Sequence, residues 1–336
     1  MKITVAICCF NSEEVLPNTL RTLRKNTPAG LNIIVVDDGS TDDTVKIATA
    51  YETLVISHTK NMGYAQARQS AIQNCDSEIL AFIDDSCLVT SDWFSTLENL
   101  WANVPDTTKA IAGLMEINQP QSYLQKFQSR HNPFLPLPAA FSRTSGFFTR
   151  LLDYLKGKKR ITASPIASFS NGNVSFRVIA ANEIGGYDLR YSIGAEDEDF
   201  ASRIISHFGK SSIYFDPSLV VFHASDGSIR GHIKRAYKYG RSSALRYRIE
   251  GGLPTIMPIP ALALVIIAFE FALKSFTSVF LTLVAIPLFY AGRSNSTKFL
   301  ISDGYLLFLS EFAHLTGFLQ FFSSRKKFPL REMSSL

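Results

Sequence analysis

Short apolar runs separated by amphipathic stretches set the pattern of the first two-thirds of the chain. Ile3 to Phe10 reads as a strand, and Ser12 to Lys25 follows with helical spacing behind Asn11 or Ser12 as cap. Ile33 to Val36 is a second, wholly apolar strand, followed by a helix from Asp42 to Tyr51 and a short strand at Leu54 to Ser57. Gly63 to Cys75 has helical spacing through Ala67, Ala71 and Ile72. Ile79 to Ile83 is another buried strand, and Ser91 caps a helix through Trp101. Strands alternating with helices at this interval predict an α/β fold with a mainly parallel, doubly wound sheet. Further on, Phe200 to His207 reads as a helix and Leu219 to Phe222 as a strand. Ahead of both, residues 119–164 hold several prolines, scattered aromatics and a basic cluster from Lys156 to Arg160, a composition that predicts an irregular, flap-like excursion.

After residue 228 the pattern changes. Ile229, Ile233, Ala236, Tyr237, Ala244, Leu245 and Ile249 recur at helical spacing, and Lys234, Arg235, Lys238, Arg241, Arg246 and Arg248 fill much of the remainder. A basic amphipathic helix beside an apolar stretch suits a membrane surface bearing anionic lipid, or the phosphates of a bound ligand. Pro258 to Leu273 and Phe276 to Ala291 are two apolar runs of 16 residues each, short for spanning helices. A helical hairpin is the reading taken, with a tilted span or a re-entrant pair as the others. Glu270 points to an interior or interfacial position. Phe299 to Phe322 carries Asp303, Glu311 and His314 and reads as interfacial rather than spanning. The expected organisation is thus an α/β domain at 1–228, an interfacial helix at 229–250, an apolar membrane hairpin at 251–292, and an interfacial helix with a basic tail at 293–336.

Composition adds little until it is placed along the chain. The net charge of +5 is modest, but Arg230 to Arg248 holds seven Lys/Arg and no Asp/Glu. Bases on both sides of the apolar region favour a cell-membrane location with a cytoplasmic catalytic domain. Cys8, Cys9, Cys75 and Cys87 lack metal-ligand spacing, which fits a reducing compartment, and Met1 to Cys9 lacks the features of a secretory signal. Nucleic acid is not an expected partner, because the acidic clusters would repel phosphates and no aromatic stacking platform is evident.

Two of the buried strands end in paired carboxylates, Asp37-Asp38 and Asp84-Asp85, and Glu196 to Asp199 form a third acidic cluster after Gly194. In open α/β sheets, the carboxyl ends of strands are where ligands bind. Three carboxylate groups suit sugar transfer from a nucleotide donor. That reaction needs a divalent cation for the departing diphosphate and a base for the acceptor hydroxyl.

The segments VAICCFNSEE (Val5 to Glu14), VVDDGSTDDT (Val35 to Thr44), NMGYAQARQSAI (Asn61 to Ile72), AFIDDSCLVTSDW (Ala81 to Trp93), NGNVSFR (Asn171 to Arg177) and IGAEDEDFASRI (Ile193 to Ile204) resemble, in order, a family 2 glycosyltransferase of the GT-A, nucleotide-diphospho-sugar transferase fold. The resemblance covers about residues 1 to 225. It implies that Asp38 hydrogen-bonds the nucleobase with Asp37 beside it, and that Phe10 and Asn11, with Glu13 or Glu14 nearby, shape the nucleoside pocket. It implies further that Gly63 lets its loop approach the ligand, that Arg68 faces the nucleotide or its phosphates, and that Asp84 opens a DxD-type metal motif. Asp197 would be the general base of an inverting displacement, and His223 would lie near the diphosphate or ligate the metal. Asn171, Asn173 and Glu196 would stand on the acceptor side. The chain departs from the pattern at Ser86, where the family carries a metal-binding Asp; the favoured reading is that Asp85 or Asp84 holds Mn²⁺ or Mg²⁺, the others being a weaker site supported by the Ser86 hydroxyl and an altered use of metal. The expected enzyme is a membrane-attached glycosyltransferase of polysaccharide biosynthesis that acts on a lipid-linked saccharide or envelope glycan precursor. The alternatives are a polyprenyl-phosphate monosaccharide transferase and an inactive scaffold of the same fold.

Overall fold

The computed structural model of the protein describes residues 1–136, 162–224, 227–251, 259–273, 276–291 and 300–323. The Lys156 to Arg160 cluster, the break at Lys274-Ser275 and the basic tail at Arg325 to Lys327 lie outside the described residues, as does most of the 119–164 excursion. Two compact units result: the described residues of 1–119, 133–136 and 162–224 form the first, and those of 120–132 and 227–323 form the second.

The first unit is built on nine strands: β1 (Ile3–Cys9), β2 (Asn32–Asp37), β3 (Leu54–Ser57), β4 (Ile79–Ile83), β5 (Cys87–Val89), β6 (Ala110–Ile117), β7 (Ser164–Pro165), β8 (Asn173–Arg177) and β9 (Ile213–His223). They form one sheet in the order β3-β2-β1-β4-β8-β6-β9-β5, with β7 paired to β9. Its helices are α1 (Leu16–Asn26), α2 (Thr44–Ala50), α3 (Tyr64–Gln73), α4 (Trp93–Asn103), α6 (Val178–Glu183) and α7 (Glu196–Phe208). The most apolar strands, β1 and β4, are covered on both faces and take the centre. Leu16, Leu20 and Leu23 of α1 and Trp93 and Leu97 of α4 pack into this core, each at most 1% exposed.

The expected parallel arrangement holds for β3-β2-β1-β4 and for the β6–β9 pair, and is broken elsewhere. There β8 runs antiparallel to both β4 and β6, and β5 and β7 run antiparallel to β9, so the whole sheet is mixed. The physical reason lies in the connection. The chain leaves the carboxyl end of β6 and enters β8 at that same edge of the sheet, so the two strands run in opposite directions.

The second unit contains α5 (Tyr123–Arg130), α8 (Ile229–Glu250), α9 (Ile259–Ala272), α10 (Phe276–Ala291) and α11 (Leu300–Ser323). Asp303, fully buried on α11, accepts hydrogen bonds from Arg130 Nε at 2.9 Å and Nη2 at 2.6 Å, and from the Tyr123 hydroxyl at 2.7 Å, with His131 Nε2 at 3.0 Å. This carboxylate pins α5 to α11. Residues 120–132 therefore belong with the C-terminal helices, not with the first domain where the sequence pattern places them.

The apolar helices also differ from expectation. Among the described residues, one helix is long and apolar enough to cross a membrane, Ile301–Ser323, and it is the segment read above as interfacial. The helices of the expected hairpin, α9 and α10, have 14 and 16 residues. The polar residues of α11 are met within the unit. Asp303 has its three partners, Glu311 accepts from Tyr290 at 2.9 Å, and His314 Nε2 lies 3.1 Å from the Ser243 hydroxyl. Its outer face can then stay apolar.

Candidate active site

Parallel neighbours end at a common edge, and the register brings three strand ends together. Asp37 lies opposite Cys9 across the β2–β1 pair, and β1 runs beside β4, whose last residue Ile83 precedes Asp84. Phe10-Asn11, Asp37-Asp38 and Asp84-Asp85 therefore share one edge, where the chain doubles back to both sides of β1.

The turn after β2 is tightly built. Asp37 is 2% exposed and its carboxylate accepts from the Ser40 amide at 3.2 Å. Asn11, with φ of 52°, places its Oδ1 to accept from the Thr41 amide at 2.9 Å, and Glu13 accepts from the Asp43 amide at 3.0 Å. Asp38 accepts from the amides of Met62 at 2.9 Å and Gly63 at 2.8 Å, and its Oδ1 lies 2.7 Å from His58 Nδ1. His58 Nε2 in turn is 2.9 Å from the Ser70 hydroxyl. Asp38 is thus first of all the anchor of the 58–63 loop. Gly63 enters α3 with φ of 93°, and a Cβ there would come within 2.2 Å of the Ser192 carbonyl oxygen, so only glycine fits. Phe10 is 46% exposed beside this turn.

Arg68 on α3 is deeply buried. Its Nη1 donates to Glu196 Oε1 at 2.6 Å, and its Nη2 stands 3.7 Å from Asp84 Oδ1. Burial works against its charge, but the Glu196 carboxylate together with Asp84 and its other neighbours outweighs this and raises its pKa, so it is a fixed cation. Glu196 Oε1 also accepts from Asn171 Nδ2 at 3.3 Å, and Asn171 Oδ1 accepts from the Tyr187 hydroxyl at 2.6 Å. The next residue, Asp197, is half-buried in the first turn of α7 and accepts from the Glu198 amide at 2.9 Å. Burial pushes its carboxyl up to about 7, the negative Glu196 adds to this, and Arg68 opposes it.

The two carboxylates after β4 face different surroundings. Asp85 takes a very short hydrogen bond from the Ser12 hydroxyl, and its carbonyl accepts from Thr19 Oγ1 at 2.7 Å. Burial pushes Asp85 up to about 6, against the Ser12 hydrogen bond. Asp84 is one-third exposed, and its Oδ2 lies beside Gly172. Cys87 pairs with His223 across β5 and β9, which brings His223 Nε2 to 3.4 Å from the Ser86 hydroxyl. Among the described residues, no three His, Cys, Asp or Glu side chains gather into a ready-made cation cage. Asn173 is used otherwise than on the acceptor side. Its amide donates to the carbonyls of Leu114 at 3.1 Å and Leu219 at 2.8 Å, and its Oδ1 accepts from Trp93 Nε1 at 3.1 Å, so it brackets the sheet core.

Sequence reading missed Ser12, Thr19, His58, Ser70 and Tyr187 as supports of this site. His58 closes the LVIS strand and carries a faint signal. The others pair across distant segments and carry none.

The chain matches the profile described as glycosyl transferase family 2 over residues 4–183. It is similar to the pre-mycofactocin glycosyltransferase of Mycobacterium tuberculosis, 26% identical over 252 residues that cover 72% of this chain and 47% of that protein. It is also similar to the O-antigen chain rhamnosyltransferase RfbN of Salmonella typhimurium, 24% identical over 246 residues, 71% of this chain and 72% of that one. The chain thus spans about half the length of the mycobacterial relative. In fold it is similar to the mannosyltransferase PcManGT from Pyrobaculum calidifontis, solved in complex with GDP-Man and Mn²⁺. The TM-score is 0.57 at 17% identity, covering 96% of this chain and 87% of that one.

Proposed function

This chain belongs to glycosyl transferase family 2 and has the GT-A fold, and from that premise we propose that it moves a sugar from a nucleotide-diphosphate donor to a glycan acceptor by a single displacement with inversion. The observation that carries the reading is the convergence of three parallel strand ends on one edge, two of them bearing paired carboxylates, beside a half-buried Asp197 whose carboxyl burial pushes up to about 7. A carboxylate with a pKa near the working pH suits a general base. Asp197 would take the proton of the acceptor hydroxyl as the new glycosidic bond forms and the bond to the diphosphate breaks.

The Asn11–Thr41 and Glu13–Asp43 contacts give the nucleoside pocket a firm wall. Asp37 and Asp38 supply its acidic floor, with Phe10 as an exposed apolar face and Gly63 permitting close approach. A divalent cation fits the residues present. Asp84 offers a partly exposed carboxylate, with the Ser86 hydroxyl and His223 as neighbouring donors, and donor phosphate oxygens would complete such a shell. Asp85, held by Ser12, serves the turn. The cation, Mn²⁺ or Mg²⁺, would supply charge neutralisation for the leaving diphosphate.

The acceptor we propose is a lipid-linked saccharide or envelope glycan precursor, with the protein held at the cell membrane and its catalytic domain on the cytoplasmic side. Large apolar side chains of α9, α10 and α11 are exposed, among them Phe269 at 64%, Phe280 at 65% and Leu319 at 59%, which is surface that lipid would cover. The rhamnosyltransferase relative, named for O-antigen chains, supports a glycan acceptor. A second reading, transfer to a polyprenyl phosphate, draws on Arg230, Lys234, Lys238 and Arg248, exposed along α8 where they could meet a lipid phosphate.

The donor side is tested by nucleotide binding. UDP or GDP should bind with Mn²⁺ and lose about tenfold or more in affinity when Asp84 is changed to Asn or when the cation is removed. Equal binding with and without cation, in wild type and variant alike, would refute a cation-assisted donor site.

A further inference from the structure

Arg68 was expected to face the donor, yet its strongest contact lies elsewhere. The residue is 8% exposed and Glu196 5%, and they meet at 2.6 Å across 128 residues of chain. From Glu196 the contacts run on through Asn171 at 3.3 Å and the Tyr187 hydroxyl at 2.6 Å. The Tyr187 ring then stacks on Phe200 of α7 at 4.3 Å between centroids. The path leaves α7 at its first residue and returns to it one turn later, with Asp197 between the two points. Arg68 Nε and Glu196 Oε2 are both buried without a hydrogen-bond partner. The Nη1–Oε1 hydrogen bond is the close contact that joins the pair, and turning the guanidinium toward a donor would leave Glu196 a buried carboxylate without its cation. Breaking a buried pair by removing one member costs far more than the pair itself contributes.

We infer that Arg68 is a positioning residue: paired with Glu196, it fixes the first turn of α7, and so Asp197, instead of binding the phosphates of the donor. The 3.7 Å approach of Nη2 to Asp84 is then the one link by which it touches the donor side. This rests on the reading of Asp197 as base and of the strand-end edge as the nucleotide site.

The test takes the full chain with UDP, GDP and dTDP, each with Mn²⁺, as probes, followed by nucleotide sugars of whichever binds. In Arg68→Gln and in Glu196→Gln the nucleotide Kd and donor KM should stay within about threefold of wild type while kcat falls by about 100-fold. The double variant Arg68→Gln/Glu196→Gln removes both buried charges together, which guards against misfolding of the single ones. It should be no slower than the worse of them. Arg68→Lys, which keeps the charge, should recover about a tenth of the wild-type kcat. Nucleotide binding weakened about tenfold in Arg68→Gln but not in Glu196→Gln overturns the inference in favour of a phosphate ligand. Unchanged turnover in both single variants overturns it as well. A wild-type protein that binds none of the nucleotides sinks the donor-site reading, and the inference with it.

Discussion

In its first helical turn Asp197 meets an environment that favours its anion through the helix N-terminus, yet burial prevails and lifts its pKa to about 7. Two pH effects follow. Turnover limited by the base should rise with pH through about 7 and level off above it, as one proton leaves. Stability should move the other way. The folded-state value lies above the ordinary 3.8, so the folded protein holds the proton more tightly across that window, and ionising Asp197 costs stability as pH rises from about 4 to about 7. Asp197→Asn should therefore raise the Tm at pH 8 by about 2 °C while stopping turnover, as scanning calorimetry would register. A lower Tm at pH 8 would mean that the carboxylate is stabilised where it stands. Gly63→Ala meets both a positive φ and the Ser192 carbonyl oxygen, so it should cost about 1–3 kcal/mol in denaturant unfolding and weaken nucleotide binding.

The elements of the first unit were legible in sequence wherever the signal was local. Apolar runs of four or five residues ending in Asp37-Asp38 and Asp84-Asp85 announced both the strands and the edge they share. What stayed hidden depended on contacts that no local pattern encodes. The Ser12–Asp85 hydrogen bond joins residues 73 apart and the Arg68–Glu196 pair residues 128 apart, and both exist only because packing brings helices and strand ends together. The direction of β8 was hidden for the same reason: the short NVSFR segment does not say from which edge of the sheet it is entered. Asp303 misled most. A carboxylate in an apolar stretch reads as interfacial until Tyr123, Arg130 and His131 are seen to satisfy it. Replacing Asp303 with Leu would strand Arg130, and should cost about 3–5 kcal/mol of local stability and speed amide exchange over 123–130. Unchanged protection there would contradict the role of this carboxylate as the anchor of α5.

For the whole molecule, family membership and the GT-A fold define the chemistry, and the C-terminal helices govern where that chemistry would happen. A chain exposing Phe269, Phe280 and Leu319 should stay with membranes through washes of about 1 M salt, where exposed charge pairs are screened, and be released by detergent. Release by salt alone would leave charge, not apolar burial, as the attachment. The central claim is catalysis by Asp197 on a nucleotide sugar, and one measurement reaches it most directly. Membranes carrying wild type or Asp197→Asn receive a panel of labelled nucleotide sugars with Mn²⁺ or Mg²⁺, and label is counted in the organic-extractable fraction. The account predicts label with wild type, from one donor, and none with Asp197→Asn. Equal label from the two proteins would contradict it.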